Sequence, residues 1–464
     1  MRTGCEAIIG WSEPRRFRRV CPLLQTNEAG TWRCSVAASE VRPFWGRVFA
    51  YAGSTAVITA VMLVSVIYGG MHAVGYQVTL RQLGWPPAWS ELRAVRADLF
   101  IEQARANYLK GNVRDAINSL SVAYELNPHH FQVGILLAQF YQSGNPSESD
   151  ALYRNLMVEH PDRRKETARA WFQSLLMRGR MPDIAELAWR QLVLDPEQAS
   201  VWIHALLFST RHTPDIPLLV KASTSEAVPA PAREVIRLGL QVRQAPAADK
   251  VRLLVETPSV SGFPYDRVFR LEELIRLGRS NEALTMLASA RSELAGRDVA
   301  RLLLAIYATG GAKDRLRQEF GVLLAPSRRV SAAEVTLLAV HLVNYPDRDL
   351  LRMVSQTLGR LPAEPAEARV EAAIAVFCAA GVQKDSAEMG EVLRLLSESF
   401  GISPVGLRKL QLFFDGKGAV THIETLLPSI NSLSLELNYA LLDRYTGKVE
   451  DPSQSDRWIE ALSR

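Results

Sequence analysis

Along most of this chain, apolar residues recur three and four positions apart, in stretches broken by short links that contain Gly, Pro or Asn. That spacing matches the 3.6-residue turn of an α-helix and gathers the apolar side chains on one face. From about Ser90 onward the pattern predicts roughly twenty helix-length segments, and almost no stretch alternates as a strand would. Links this short make neighbouring helices antiparallel. Two regions depart from the rhythm. Val48 to Tyr68, VFAYAGSTAVITAVMLVSVIY, is apolar or small on every face, and no charge follows it until Arg81. Its roughly twenty residues, at about 1.5 Å each, are enough to cross a hydrocarbon core of about 30 Å. Residues 1–42 show no sustained period of either kind.

The apolar run predicts an uncleaved membrane anchor. Phe44, Trp45 and Tyr51 at its entrance, and Tyr68 and Tyr76 at its exit, stand where aromatic belts form. A secretory signal peptide is the competing reading. The run is too long for one, starts too late, and is followed only by GGMHAVGYQ, a poor cleavage site. Eight arginines precede the run, and Arg81 is the one basic residue between it and Glu91. The positive-inside bias therefore predicts a cytoplasmic N-terminus and an extracytoplasmic body, periplasmic in a bacterium. WPPAW, from Trp85 to Trp89, stops the helix, because adjacent prolines remove donors and clash with the preceding turn. The expected organisation is a disordered basic tail at 1–42, an anchor at 43–76 and a Pro/Trp linker at 77–90. Helical repeats follow at 91–212, and a degenerate helical-repeat region at 213–464. The tail's Arg15, Arg16, Arg18 and Arg19 suit anionic lipid. Alternatively, the recorded start is over-extended and translation begins later, for example at Val41.

A period of the right length appears between Asp98 and Pro196. Three segments end alike: YELNP at Pro128, MVEHP at Pro161 and LVLDP at Pro196. In the first, Ala104, Gly111, Ala116, Ala123 and Pro128 fall at spacings that suit two close-packed helices. The second offers Leu137, Ala138 and Tyr141, then Gly144, Tyr153 and Pro161, with Ser149 as the small residue of its second helix. The third keeps Leu175, Gly179 and Pro196 but sets Trp171 and Phe172 near the small position. Gly278, Ala283 and Ala290 repeat the spacing further on. This resembles the tetratricopeptide (TPR) family, whose 34-residue helix–turn–helix units carry small residues and a closing proline at such positions. The resemblance implies an all-α fold, a TPR-like α-solenoid behind a single transmembrane helix. The physics is independent of the name: small residues let antiparallel helices approach, Gly111 suits a left-handed helix end, and Asp115 favours the first turn of its helix. One pair cannot bury its apolar face alone, so such units must stack.

Composition adds little but excludes something. The 54 basic and 49 acidic residues leave a net charge of +5. Most of that excess lies before the anchor, so the body lacks the concentrated basic face of a nucleic-acid binder. Cys5, Cys21 and Cys34 match no zinc spacing, and Cys378 is alone in the body. No HExxH, GxSxG or P-loop is present, and DGKGAVT at Asp415–Thr421 lacks the strand and the first glycine of a phosphate cradle. His129 and His130 read as link residues, and Glu272–Glu273 as a solvated helix face among arginines. No catalytic, cofactor-binding or metal-ligating residues are therefore expected.

In the family it resembles, the first helix of each repeat lines a surface that holds peptides. Mapped here, that surface comprises Ile101, Arg105 and Tyr108, then Ile135, Gln139 and Gln142. The expected function is a non-catalytic, membrane-anchored scaffold or adaptor for membrane-bound or juxtamembrane protein partners. Envelope assembly, secretion and chaperoning are the kinds of work it suits. The alternatives are a regulatory subunit of a membrane enzyme complex and an enzyme acting on cell-wall or sugar polymers.

Overall fold

Local punctuation sets where the helices start and stop. The structure is a computed structural model that describes residues 24–26, 28–30, 32–34, 45–84, 86–325, 327–362, 365–402, 404–418, 420–430 and 433–446. The basic arm at Arg15–Arg19, the start at Val41, Phe44 and the linker's Trp85 lie outside the described residues. Among the described residues the chain is all-helical apart from two three-residue strands, Leu24–Thr26 (β1) and Trp32–Cys34 (β2), and it forms two compact units, 1–133 and 134–464. The strands pair antiparallel, with Gln25 opposite Arg33. The alternation that makes them is too short to stand out in the tail's sequence.

The first unit holds α1 (Trp45–Val74), α2 (Leu80–Gly84), a 3-10 turn (Pro86–Ser90), α3 (Glu91–Leu109) and α4 (Val113–Leu126). Helix α1 is long and apolar enough to cross a membrane over Phe49–Val74, with a mean hydropathy of 1.9 and none of it buried by protein. Its serine and threonine hydroxyls are satisfied within the helix: Ser54 and Thr55 donate to Tyr51 O, Thr59 to Thr55 O and Ser65 to Val61 O. Such internal pairing is what a low-dielectric surrounding demands of polar groups. Helices α3 and α4 pack on each other through Ala104, Ala116 and Ala123, all buried.

Helix α5 (Phe131–Gly144) spans the division between the units. The second unit continues with α6 (Pro146–Glu159), α7 (Arg164–Met177), α8 (Met181–Leu194), α9 (Ala199–His212), α10 (Ile216–Thr224), α11 (Ala230–Gln244) and α12 (Ala247–Glu256). Then come α13 (Pro264–Arg276), α14 (Ser280–Ala290), α15 (Gly296–Thr309), α16 (Lys313–Leu323) and α17 (Ala332–Asn344). The last five are α18 (Arg348–Leu358), α19 (Ala366–Val382), α20 (Ser386–Phe400), α21 (Pro404–Phe414) and α22 (Leu435–Tyr445). From α3 on that makes twenty helices among the described residues, in line with the roughly twenty segments the apolar rhythm predicts.

Two backbone devices recur. Gly111, Gly179, Gly278 and Gly311 each take a positive φ, between 61° and 81°, and the next residue donates five positions back. That is a Schellman-type stop, and glycine fits it because it lacks a Cβ. Lys384, at φ 55°, makes the same turn without glycine. Ahead of Pro128, Pro161 and Pro196, the residues Asn127, His160 and Asp195 share one conformation, with φ between −140° and −121° and ψ between 69° and 77°. A residue before proline is pushed out of the helical region, so these three ends are the same ending. Where α6 meets α5, Ser149 Oγ donates to Ala138 O at 2.7 Å, an approach that only two small residues allow.

In the second unit consecutive helices pack on one another from α6 to α9, from α10 to α16 and from α17 to α21. In addition α9 meets α11, α13 meets α15, α15 meets α17, and α17 meets α19. Odd-numbered helices thus form a row, with even-numbered helices alongside. A single apolar core runs from Ala168 to Leu442. The sequence division at 212/213 marks where the repeat signature fades, and packing continues across it, since α9 on one side meets α11 on the other.

Candidate functional site

The last helix does not extend the row. After α21 the chain crosses in two 3-10 turns, Ile423–Thr425 and Leu427–Ser429, held by buried Ile423, Leu426, Leu427, Ile430 and Leu433. Ser434 then caps α22 by accepting from Leu437 N, and α22 returns to lie against both α7 and α17. A Cβ built on Gly179, in the turn after α7, would sit 3.2 Å from Glu424 Cβ. The strap is therefore in contact with that turn.

Each face of α22 has a distinct match. Leu437, Leu441 and Leu442 are fully buried. Tyr439 inserts between rings of α7 and α9: its centroid is 6.3 Å from Phe172, 4.6 Å from His204 and 4.5 Å from Phe208, the last two edge-on. The polar side is matched by charge. Asp443 lies 3.3 Å from His212 Nε2 and 4.0 Å from Arg211, and Glu436 lies 3.1 Å from Arg297 of α15. Arg444 donates to Val343 O of α17 at 3.1 Å. One short helix thus touches α7, α9, α15 and α17.

Behind Tyr439 lies a crowded polar cluster. Tyr265 Oη is 3.3 Å from His204 Nδ1, and Glu272 Oε2 is 3.9 Å from the same nitrogen. Glu272 accepts from Arg301 at 2.8 Å, while Glu273 pairs with Arg276 at 2.5 Å and Arg211 at 3.3 Å. The sequence reading of Glu272–Glu273 as a solvated face is corrected here: each carboxylate is only 17% exposed. His204 and Arg301 lie against Glu272, and Arg211 and Arg276 against Glu273, which no local pattern could reveal. Loss of water lowers His204 below the usual imidazole value against the pull of Glu272. Burial alone would raise Glu272, yet Arg301, His204 and Arg276 hold it below the usual carboxylate value. The hydrogen bond to His212 lowers Asp443, and burial raises Tyr265 and Tyr439. Every carboxylate in the cluster has a cationic partner, so the arrangement suits gripping a helix by shape and charge.

The surface expected from the repeats lies elsewhere. Arg105 and Tyr108 are exposed on α3, beside partly covered Ile101. On α5, Gln139 is exposed and Gln142 partly covered, whereas Ile135 is buried and serves packing. The first three residues fall in one unit and the last three in the other. His129 is exposed in its link, and His130 Nδ1 accepts from Val133 N at 3.3 Å. Asp415–Gly418 form a turn after α21, with Gly416 at φ 69°. Among the described residues no three His, Cys, Asp or Glu side chains gather as a metal site.

Sequence reasoning missed the α22 cluster. In LELNYALLDRY the Tyr and Asp stand four apart, a signal that they share a face, but nothing in the sequence says what that face meets. What fold and site define is an all-helical chain with one apolar helix near its N-terminus and a C-terminal helix docked on an inner cluster. Compared with family models, curated proteins and solved structures, the chain finds no match.

Proposed function

We propose that this chain is a membrane-anchored, non-catalytic scaffold whose body is a TPR-like α-solenoid holding protein partners near the bilayer. The supporting observation is the row of alternate helices whose inner side already grips a helix by rings, charge and apolar contact. Equivalent pre-proline endings and glycine stops support reading the pairs as degenerate copies of one unit. Helix α1 anchors the body, with the N-terminus cytoplasmic by the arginine bias.

In this reading α22 fills the inner side of the second unit. External partners then use Arg105 and Tyr108 in the first unit, and Gln139 and Gln142 at the start of the second. Arg and Gln suit peptide carbonyls and carboxylates, and Tyr supplies a flat apolar contact. The test is crosslinking in native membranes with Arg105→Ala/Tyr108→Ala against wild type. Loss of specific partners is expected, and an unchanged partner set refutes the surface. A reporter enzyme active only outside the cytoplasm, fused after Arg464, is expected to be active; a silent fusion refutes the orientation.

A further inference from the structure

The segment between α1 and α3 reads from sequence as a Pro/Trp linker. Its structure is that of a small folded foot. Helix α1 ends at Gly75, whose φ of 102° turns the chain, with Tyr76 N donating to Met71 O at 2.9 Å. The foot then folds back, because a Cβ built on Gly75 would sit 3.4 Å from Leu99 Cδ1 of α3. Its polar groups are used internally. Thr79 N donates to Gln82 Oε1 at 2.9 Å, Gln82 Nε2 to Glu91 Oε2 at 3.2 Å, and the Trp89 indole N–H to Leu83 O at 3.1 Å. Small and branched residues fill its inside, with Val78 and Ala88 buried. Two of its large apolar side chains face out: Leu80 is 60% exposed and Trp89 56%.

A water-bathed linker puts polar groups outside and spends apolar ones on packing. Here Leu80 and Trp89 are exposed although Val78 and Ala88 beside them are buried, and Leu80 stands six residues from the end of a helix that can span a membrane. Six residues reach at most about 20 Å, and the fold-back onto Gly75 shortens that. The polar interfacial zone beyond the hydrocarbon core is itself about 5–7 Å deep. Tryptophan and leucine gain there by burying apolar surface among headgroups, while Arg81 beside Leu80 meets phosphates.

We infer that Leu80 and Trp89 lie in the interfacial zone of the bilayer as a second contact, fixing how α3 leaves the membrane. This rests on the reading of α1 as a span, so the experiment separates the two. Full-length protein, with Cys5, Cys21 and Cys34 changed to Ser and buried Cys378 retained, is labelled with bimane at Val61→Cys or at Pro86→Cys. Each form is reconstituted in phosphatidylcholine/phosphatidylglycerol vesicles with bromines near the headgroup or deep in the chains. Label at 61 is expected to be quenched most by deep bromines, and label at 86 at least twofold, most by shallow ones. Adding Leu80→Glu and Trp89→Glu should abolish most quenching at 86 and leave 61 unchanged. Quenching at 61 without quenching at 86 overturns the foot and leaves the span intact. Absence of quenching at 61 overturns the span, and the foot with it.

Discussion

Truncating Tyr439 tests whether α22 closes the inner row as a docked element. A fully buried aromatic ring cut to Ala costs about 3–5 kcal/mol, and Tyr439 is partly covered, so about 2–4 kcal/mol is the working figure. Its three ring neighbours, at about 0.5–1.5 kcal/mol per pair, account for much of it. A chain of this size need not unfold in one step, so a melting point is the wrong readout. Native-state hydrogen exchange followed by mass spectrometry reads local opening directly. If α22 opens as a unit, Tyr439→Ala should speed exchange across Leu435–Tyr445 by about thirty-fold to several hundred-fold, at tenfold per 1.4 kcal/mol. Arg164–Met177 and Ala332–Asn344, which α22 covers, should speed up with it, and by more than Ala247–Glu256. Tyr439→Phe, which keeps the ring, should stay within about threefold of wild type. Unchanged exchange in Leu435–Tyr445 for the Ala variant refutes the docking argument.

Three further substitutions probe other parts of the fold. Arg270 and Asp266 are a buried pair, and Arg270 also donates to Leu254, Thr257 and Pro258 carbonyls, so Arg270→Met should cost about 3–5 kcal/mol in urea unfolding by leaving the Asp266 carboxylate without its counter-charge and removing the donor to the three carbonyls. Burial lowers His341 to about 4, so the native state resists a proton that the unfolded chain accepts below about pH 6.5. The stability this gives is complete above pH 6.5 and falls by about 3 kcal/mol as the pH drops towards 4; His341→Leu should remove that part of the loss, read from urea curves at both pH values. A Cβ on Gly381 would overlap the Phe414 ring, so Gly381→Ala should destabilise the α19–α21 contact by about 1–3 kcal/mol, with partial recovery when combined with Phe414→Leu.

The sequence made the helices legible because each carries its own evidence: a 3.6-residue apolar stripe, a glycine stop at Gly111 or Gly278, a proline after Asn127 or Asp195. The apolar run was legible for the same reason: α1, from Trp45 to Val74, extends past the run Val48–Tyr68 and lies within the expected anchor at 43–76. Ser149 is a case where a departure from the pattern proved structural, since its hydroxyl replaces a small apolar contact with a bond to Ala138. The α22 cluster was not legible. Its contacts join Tyr439 to Phe172 and Arg444 to Val343, across separations over which no periodicity carries information. Glu272 and Glu273 failed for a related reason: charged residues on a helix face look alike whether that face meets water or a row of arginines. The outward-facing Leu80 and Trp89 were hidden too, because burial, not composition, distinguishes a foot from a spacer.

The docking of α22 also has a consequence for synthesis. Phe172 leaves the ribosome about 270 residues before Tyr439, which at roughly 5–20 residues per second is a delay of tens of seconds. Throughout that interval α7 to α17 can pair with their neighbours, but the rings and arginines of their inner side have nothing to hold. The nascent chain therefore carries an open, sticky cleft until Leu435–Tyr445 is made, and that short helix is what withdraws the cleft from competing partners.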